Sequence, residues 1–335
     1  MTSVLDLDNF ARLLIVVPHP DDETLATGGL IQRALAVGAT LRVVIVTDGD
    51  NNPWPQRWVE KRWRIDAEAR ARWGKRRRHE AAAALARLGM AEYDIRHYGW
   101  PDQGLTDLLM CDAQCEDQLV AEILDFAPTL AAAPSLTDRH PDHNALRVML
   151  ELALARTAFA ACRRLGFVVH GRLSESNVVT LETSEEQVRK KCGALQAHTS
   201  QLILSSKRMT RLCERSEQFE VNEPPASEFA RVADREWRIA FSRSGFHLHQ
   251  RALYLVVEID GKVIRAKFPL PVQHEGKHTK INMDDHESYG LEVDAGVDHL
   301  RISLAGDRAT GQIFAKIERL GARLLIYDCT GWMRG

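Results

Sequence analysis

The first fifty residues constrain the fold most. Leu13 to Val17 is an unbroken apolar run that stops at Pro18. A helical segment follows from about Thr24 to Val37, closed by Gly38, and Leu41 to Val46 repeats the apolar run. A strand that is apolar at every position has no face to give to water, so it belongs in a parallel sheet covered by helices on both sides. The alternation continues. Tyr93 to Tyr98 and the weaker Thr129 to Pro134 read as third and fourth strands, and Asp112 to Phe126 and Asn144 to Ala161 as helices. Phe167 to His170 and Asn177 to Leu181 read as later strands, followed by a helix from Ser184 to Ala197. The long stretch Pro55 to Leu88 reads as helical, with a break at Gly74. This order predicts an α/β fold with a Rossmann-like, doubly wound, mostly parallel sheet. Such sheets place their sites at the carboxyl ends of the strands.

The 335 residues suit two domains. Asn222-Glu223-Pro224-Pro225 reads as a linker, giving residues 1–225 as the α/β domain and 226–335 as a smaller β-rich domain. The segment from the linker to Gly245 is expected to be helical or irregular. Ala252 to Ile259, Lys262 to Phe268, Leu300 to Leu304 and Ala322 to Asp328 read as short antiparallel strands, with Asp260-Gly261 as a turn. With 44 basic and 46 acidic residues the net charge is -2, which argues against a nucleic-acid partner for the chain as a whole. The charge is unevenly spread, for Arg57 to Arg78 holds ten Lys or Arg against three Asp or Glu. Six scattered cysteines are too few for a disulfide scaffold. The N-terminus lacks a signal-peptide pattern, and no apolar run approaches the ~18 residues of a membrane span. A cytoplasmic location is therefore expected. Nothing in the sequence speaks to oligomeric state.

Two loops concentrate the chemistry. Pro18-His19-Pro20-Asp21-Asp22-Glu23 follows the first strand, and Asp138-Arg139-His140-Pro141-Asp142-His143 follows the fourth. Either loop alone reads as a proline-stiffened turn whose Asp caps the next helix. Two such loops at strand ends read instead as a metal site, since imidazole and carboxylate suit zinc and a catalytic site usually takes three protein ligands.

PHPDDE with HPDH resembles the GlcNAc-phosphatidylinositol de-N-acetylase family, also called PIG-L or LmbE-like, over roughly residues 10 to 220. Weaker matches are Arg77-Arg78-His79-Glu80, Gly99-Trp100-Pro101-Asp102 and Ala197-His198-Thr199-Ser200-Gln201. The resemblance implies a metal held by His19, Asp22 and His143, with Asp21 as the general base. It implies that His140 stabilises the oxyanion and that Asp142 orients a histidine. Arg77 and Asp102 would grip the sugar, with Asp48 and His198 as further pocket residues. The implied activity is removal of an N-acetyl group from an N-acetylglucosamine-type sugar in a glycoconjugate, phosphate- or lipid-linked. Zn2+ is the expected metal, and a two-His, one-carboxylate set also accepts Fe2+. Rival readings are a non-catalytic sugar-binding module and a two-His-one-carboxylate iron oxygenase, though neither gives Asp21 a task.

Two further features have simple readings. Trp54, Trp58, Ile65, Ala69 and Trp73 drift around one helical face, so residues 51–78 read either as a packed aromatic stripe or as a lid whose indoles stack on sugar. Gly28-Gly29 lacks a phosphate-loop pattern and reads as a close helix contact.

Overall fold

In the computed structural model of the chain, the described residues are 5, 7–111, 114–173, 177–222, 228–240, 251–259, 261–270, 277–282, 288–295, 298–305, 310–319, 327, 328 and 330–335. Two compact units divide at Glu223 and Pro224.

The first unit is built on a seven-stranded sheet. In chain order its elements are β1 (Arg12–Val17), α1 (Asp22–Ala36), β2 (Thr40–Thr47), α2 (Pro53–Glu60), α3 (Ala67–Leu88) and β3 (Ile95–Trp100). Then come α4 (Leu105–Cys111), α5 (Gln114–Phe126), β4 (Leu130–Pro134), α6 (Pro141–Ala155) and β5 (Arg163–Phe167). The unit closes with β6 (Val178–Thr180), α7 (Glu185–Leu195), α8 (Thr199–Cys213) and β7 (Gln218–Val221). The strand order is β3-β2-β1-β4-β5-β7-β6. Strands β1 to β5 run parallel, while β7 is antiparallel to both β5 and β6. The chain winds outward from β1 in one direction and from β4 in the other, so the crevice between these two strands is the topological switch point of the sheet. Leu13, Ile15 and Val17 of β1 pack with Leu30, Leu85 and Phe219 in one buried core, as the apolar runs require.

Several expectations are corrected. The helical stretch beginning near Pro55 breaks at residues 61–66, where Lys61 turns left-handed, and not at Gly74. Gly74 lies inside α3, and a Cβ there would meet the Asp48 Cβ at 2.9 Å, so glycine permits close approach rather than a break. The expected strand at Phe167 to His170 ends at Phe167 and begins at Arg163, leaving His170 in the following loop. Helix α6 starts at Pro141 and stops at Ala155, several residues before Ala161. Helices α4 and α8 were not foreseen. Gly28 and Gly29 do serve close packing: added Cβ atoms would lie 2.9 Å from Lys191 Cγ and from Thr183 Cγ2.

The second unit holds two antiparallel sheets. Its strands are β8 (Phe229–Ala233), β9 (Glu236–Ala240), β10 (Arg251–Ile259), β11 (Lys262–Leu270), β12 (Lys277–Asn282), β13 (Ser288–Ala295), β14 (His299–Ala305), β15 (Thr310–Arg319) and β16 (Met333–Arg334). The sheet orders are β11-β10-β15-β16 and β12-β13-β14-β9-β8. Phe229, Trp237 and Ile239 from one sheet share a core with Leu253, Leu255 and Ile313 from the other, as in a β-sandwich. Residues 229–240 are thus strands, not helical or irregular: Trp237 and Ile239 alternate inward with exposed neighbours. The turn residue Asp260 and residues 322–326 of the last expected strand lie outside the described residues.

Candidate metal and acid–base site

The carboxyl edge of the parallel strands gathers the two loops. His19 and Asp22 follow β1, and Asp138, His140, Asp142 and His143 follow β4, the two strands flanking the switch point. Each loop runs straight into a helix, but neither Asp caps it in the expected way. Asp21 precedes α1 and makes no side-chain cap hydrogen bond. The cap of α6 is His140, whose Nδ1 accepts the Asp142 N–H at 3.2 Å, with Pro141 in the first turn. The proline-bearing sequence therefore fixes His140, Asp142 and His143 on one helix start.

Asp22 faces two imidazoles. Asp22 Oδ2 lies 3.2 Å from His19 Nδ1 and 3.3 Å from His143 Nε2. Bonds of about 2.0–2.1 Å at tetrahedral angles separate neighbouring ligands by roughly 3.3 Å, so these spacings suit a single small cation. His143 is fully buried, and neither of its ring nitrogens makes a well-directed hydrogen bond. An imidazole left so is poorly explained by packing and well explained by a ligand role. Among the described residues, the groups whose ligand atoms all lie within 4.8 Å of one another are His19–His140–His143 and His19–Asp102–Asp142, and Asp22 reaches His19 and His143 of the first. The donor set fits a divalent ion.

Carboxylates back each ring. His19 Nε2 lies 3.1 Å from Asp142 Oδ2 and 3.2 Å from Asp102 Oδ1. Asp142 is itself fixed by the N–H groups of Gln103 and Leu105, at 2.7 and 3.1 Å. His143 Nδ1 faces Asp138 Oδ2 at 3.2 Å. Asp138 also accepts N–H bonds from His140, Val169 and His170. Asp138 carried no role in the sequence reading, although it stood inside the motif. His170 was also missed. Its ring centroid lies 5.3 Å from that of His140 and 5.0 Å from that of His143, on the loop after β5. Its one sequence signal is its place just beyond a strand, and the expected strand, Phe167 to His170, includes it.

The electrostatics divide two adjacent carboxylates. Burial pushes Asp21 up to about 6, although the Arg77 guanidinium opposes the rise. Burial also acts to raise Asp22, but His143 and His19 outweigh it and hold the carboxyl well below the usual range. Burial works to lower His143, and Asp138 and Asp22 reverse this to about 9. His140 is driven far below its usual value by burial first and then by the neighbouring imidazoles, His19 and His143 foremost.

The remaining sequence candidates separate. Buried Arg77 donates to Gly49 O and Pro20 O at 2.5 and 2.6 Å and to Asp21 Oδ2 at 3.2 Å. It ties the Asp21 loop to the loop after β2. Asp102 takes the Asn51 N–H at 2.6 Å and otherwise faces His19. Asp48 is held by Arg78 at 2.5 Å, away from the histidines in every described contact. His198 is fully buried behind α1, with Nε2 3.0 Å from Glu23 Oε1. Separately, a cavity of about 1220 Å³ lined by Leu25, Phe167, Lys191 and Glu217 contains none of the cluster residues.

Fold and site define an α/β protein with a His–carboxylate cluster at the switch point of its sheet. Residues 14–154, about two fifths of the chain, match the PIG-L model, described as GlcNAc-PI de-N-acetylase. Among relatives, the 1D-myo-inositol 2-acetamido-2-deoxy-alpha-D-glucopyranoside deacetylase of Mycobacterium sp. (strain KMS) is 35% identical over 148 residues, covering 39% of this chain. The match spans about half, 46%, of that relative. Among solved structures, the zinc-inhibited form of teicoplanin deacetylase Orf2 aligns at TM-score 0.50 and 19% identity, covering 63% of this chain and 97% of its own. GalB, the 4-carboxy-2-hydroxymuconate hydratase of Pseudomonas putida KT2440, aligns at TM-score 0.51 and 16% identity, covering 67% of this chain and 100% of its own. The same fold thus carries a deacetylase and a hydratase, and the activity has to be argued from the site.

Proposed function

We propose that the protein is a metal-dependent N-deacetylase that hydrolyses the acetamide of an N-acetylglucosamine-type sugar in a glycoconjugate. The observation that carries this reading is Asp22 Oδ2 standing 3.2 Å from His19 Nδ1 and 3.3 Å from His143 Nε2, beside a second carboxylate, Asp21, that pairs with Arg77 instead. Sequence similarity to a deacetylase of a GlcNAc-inositol supports the sugar class. A zinc or iron(II) ion held by His19, Asp22 and His143 would polarise the acetyl carbonyl and acidify a water.

The residues then divide the work. Asp21 takes a proton from the attacking water and returns it to the departing amine, a contribution of typically 10²–10⁴-fold. Arg77 holds that carboxylate in place through Oδ2. Because His140 Nδ1 accepts the Asp142 N–H, its proton sits on Nε2, which suits donation to the developing oxyanion. Asp138 and Asp142 are positioning residues that orient His143 and His19. Acetate and a free amine result. All these residues lie in the first unit, to which the reaction is assigned.

The test is acetate release from a panel of free, nucleotide-linked and lipid-linked N-acetylglucosaminyl compounds, with zinc added or chelated. Metal-dependent release is expected from wild type and not from Asp21→Ala. No release from any compound, with metal demonstrably bound, would overturn the reading.

A further inference from the structure

The aromatic surface of α2 takes no part in this chemistry. Trp54, Trp58 and Trp63 are 59%, 69% and 74% exposed, whereas Trp73 is buried. The expected packed stripe is therefore not formed, because the helix stops at Glu60 and the connection to α3 turns its own indole outward. Two of the rings, Trp54 and Trp63, are tied together through Arg57. The Arg57 guanidinium lies 4.9 Å from the Trp54 ring and 4.8 Å from the Trp63 ring, and its Nε donates to Trp63 O at 2.9 Å. Helix α8 packs against α2 and adds exposed Ile203 and Leu204.

Unpaired positive charge lies on the same elements. Arg70, Arg72, Arg76, Arg77 and Arg78 each pair with a carboxylate. Lys61, Arg62 and Arg64, in the connection after α2, and Lys207 and Arg211, on α8, are exposed and have no carboxylate partner among the described residues. The sequence of α8 contains no acidic residue.

We propose that this face, made by α2, the 61–64 connection and the exposed side of α8, docks onto an anionic phospholipid surface. Indole rings favour the lipid–water boundary, where an apolar body and a polar N–H are both satisfied. Unpaired Lys and Arg are attracted to anionic headgroups. A second copy of the same face would set like charges against one another. A stacked sugar would account for the indoles but not for the surplus cations. The face borders the cluster. Asn51, just before α2, donates to Asp102, and Arg208 on α8 lies 3.4 Å from His170 Nδ1. A docked chain would thus present its His–carboxylate site near the membrane. The proposal goes beyond the deacetylase reading and stands without it.

The test is co-sedimentation of the full chain with vesicles of phosphatidylcholine alone and with phosphatidylglycerol added. Binding is expected only to the anionic vesicles, weakened by salt, with a blue shift of tryptophan emission. Arg62→Gln with Arg64→Gln should weaken binding by on the order of 25-fold, at roughly fivefold per cation lost. Trp58→Ser with Trp63→Ser should remove the emission shift and most of the binding. Circular dichroism melts of both pairs should match wild type, since all four side chains are exposed. The proposal is overturned if anionic vesicles fail to bind the chain, or if binding survives both pairs of substitutions. A dimer that depends on Trp58 and Trp63 in place of vesicle binding would also overturn it.

Discussion

Asp21 sits at φ 134°, ψ -27°, a conformation that L side chains rarely adopt and that costs about 1–3 kcal/mol. The turn is held by Arg77 on one side and by Glu23 on the other, whose Oε2 accepts the Asp21 N–H at 2.8 Å. Its effect is to send two neighbouring carboxylates to different partners, Asp21 to Arg77 and Asp22 to the histidines. Asp21→Ala and Asp21→Gly both remove the proposed base, and both are expected to lose at least about 10²-fold in kcat. They differ only in backbone freedom. The glycine variant should therefore be the more stable by about 1 kcal/mol in denaturant melts. Equal stability would mean that the turn stores no strain. Asp138 makes a contrasting case, since it acts through His143. Asp138→Asn should weaken zinc affinity by roughly 10–100-fold in a competition titration, while Asp21→Ala leaves that affinity near wild type.

The link between α3 and α8 explains why two weak sequence matches occur together. Glu80 on α3 accepts bonds from Thr199 Oγ1 at 2.7 Å, Ser200 N at 3.0 Å and Ser200 Oγ at 2.5 Å. It caps α8 from outside, because His198 makes no side-chain cap and turns to Glu23 instead. Glu80→Ala leaves that helix start without an acceptor and should cost about 2–3 kcal/mol of stability in urea melts. A change below about 0.5 kcal/mol would show that water replaces the carboxylate freely. This link was not legible in the sequence, although both of its ends were quoted as motif fragments. Strands β1 and β2 were legible because burial on both faces leaves continuous apolar runs. Helix α8 was not, because exposed Ile203 and Leu204 blur its apolar period. Strand β5 hid behind two arginines at its start, and moving it hid His170. The ligand loops were legible because their chemistry is carried by adjacent residues. The backing of His143 by Asp138 depends on a helix turn, and the clamping of Asp21 by Arg77 spans 56 positions.

At the scale of the molecule, the two units have separate cores. The core of the first unit, which holds the whole His–carboxylate cluster, draws on residues from Leu5 to Val221, and that of the second, antiparallel unit on residues from Phe229 to Met333. A ligand that binds one folded unit stabilises that unit alone, by about 2.7 kcal/mol when present at a hundred times its dissociation constant. Calorimetry of the full chain should therefore show two transitions. Zinc should raise only one of them, by several degrees, and a chelator should lower the same one. His143→Ala should abolish that shift while leaving the other transition where it was, since His143 is assigned to the metal and lies wholly within the first unit. If both transitions moved together with zinc, the units would have to unfold as one, and the metal could not be assigned to the first unit alone. If neither moved while zinc bound, the ion would be bound as well by the unfolded chain as by the folded one. That outcome would remove the preformed site formed by His19, Asp22 and His143.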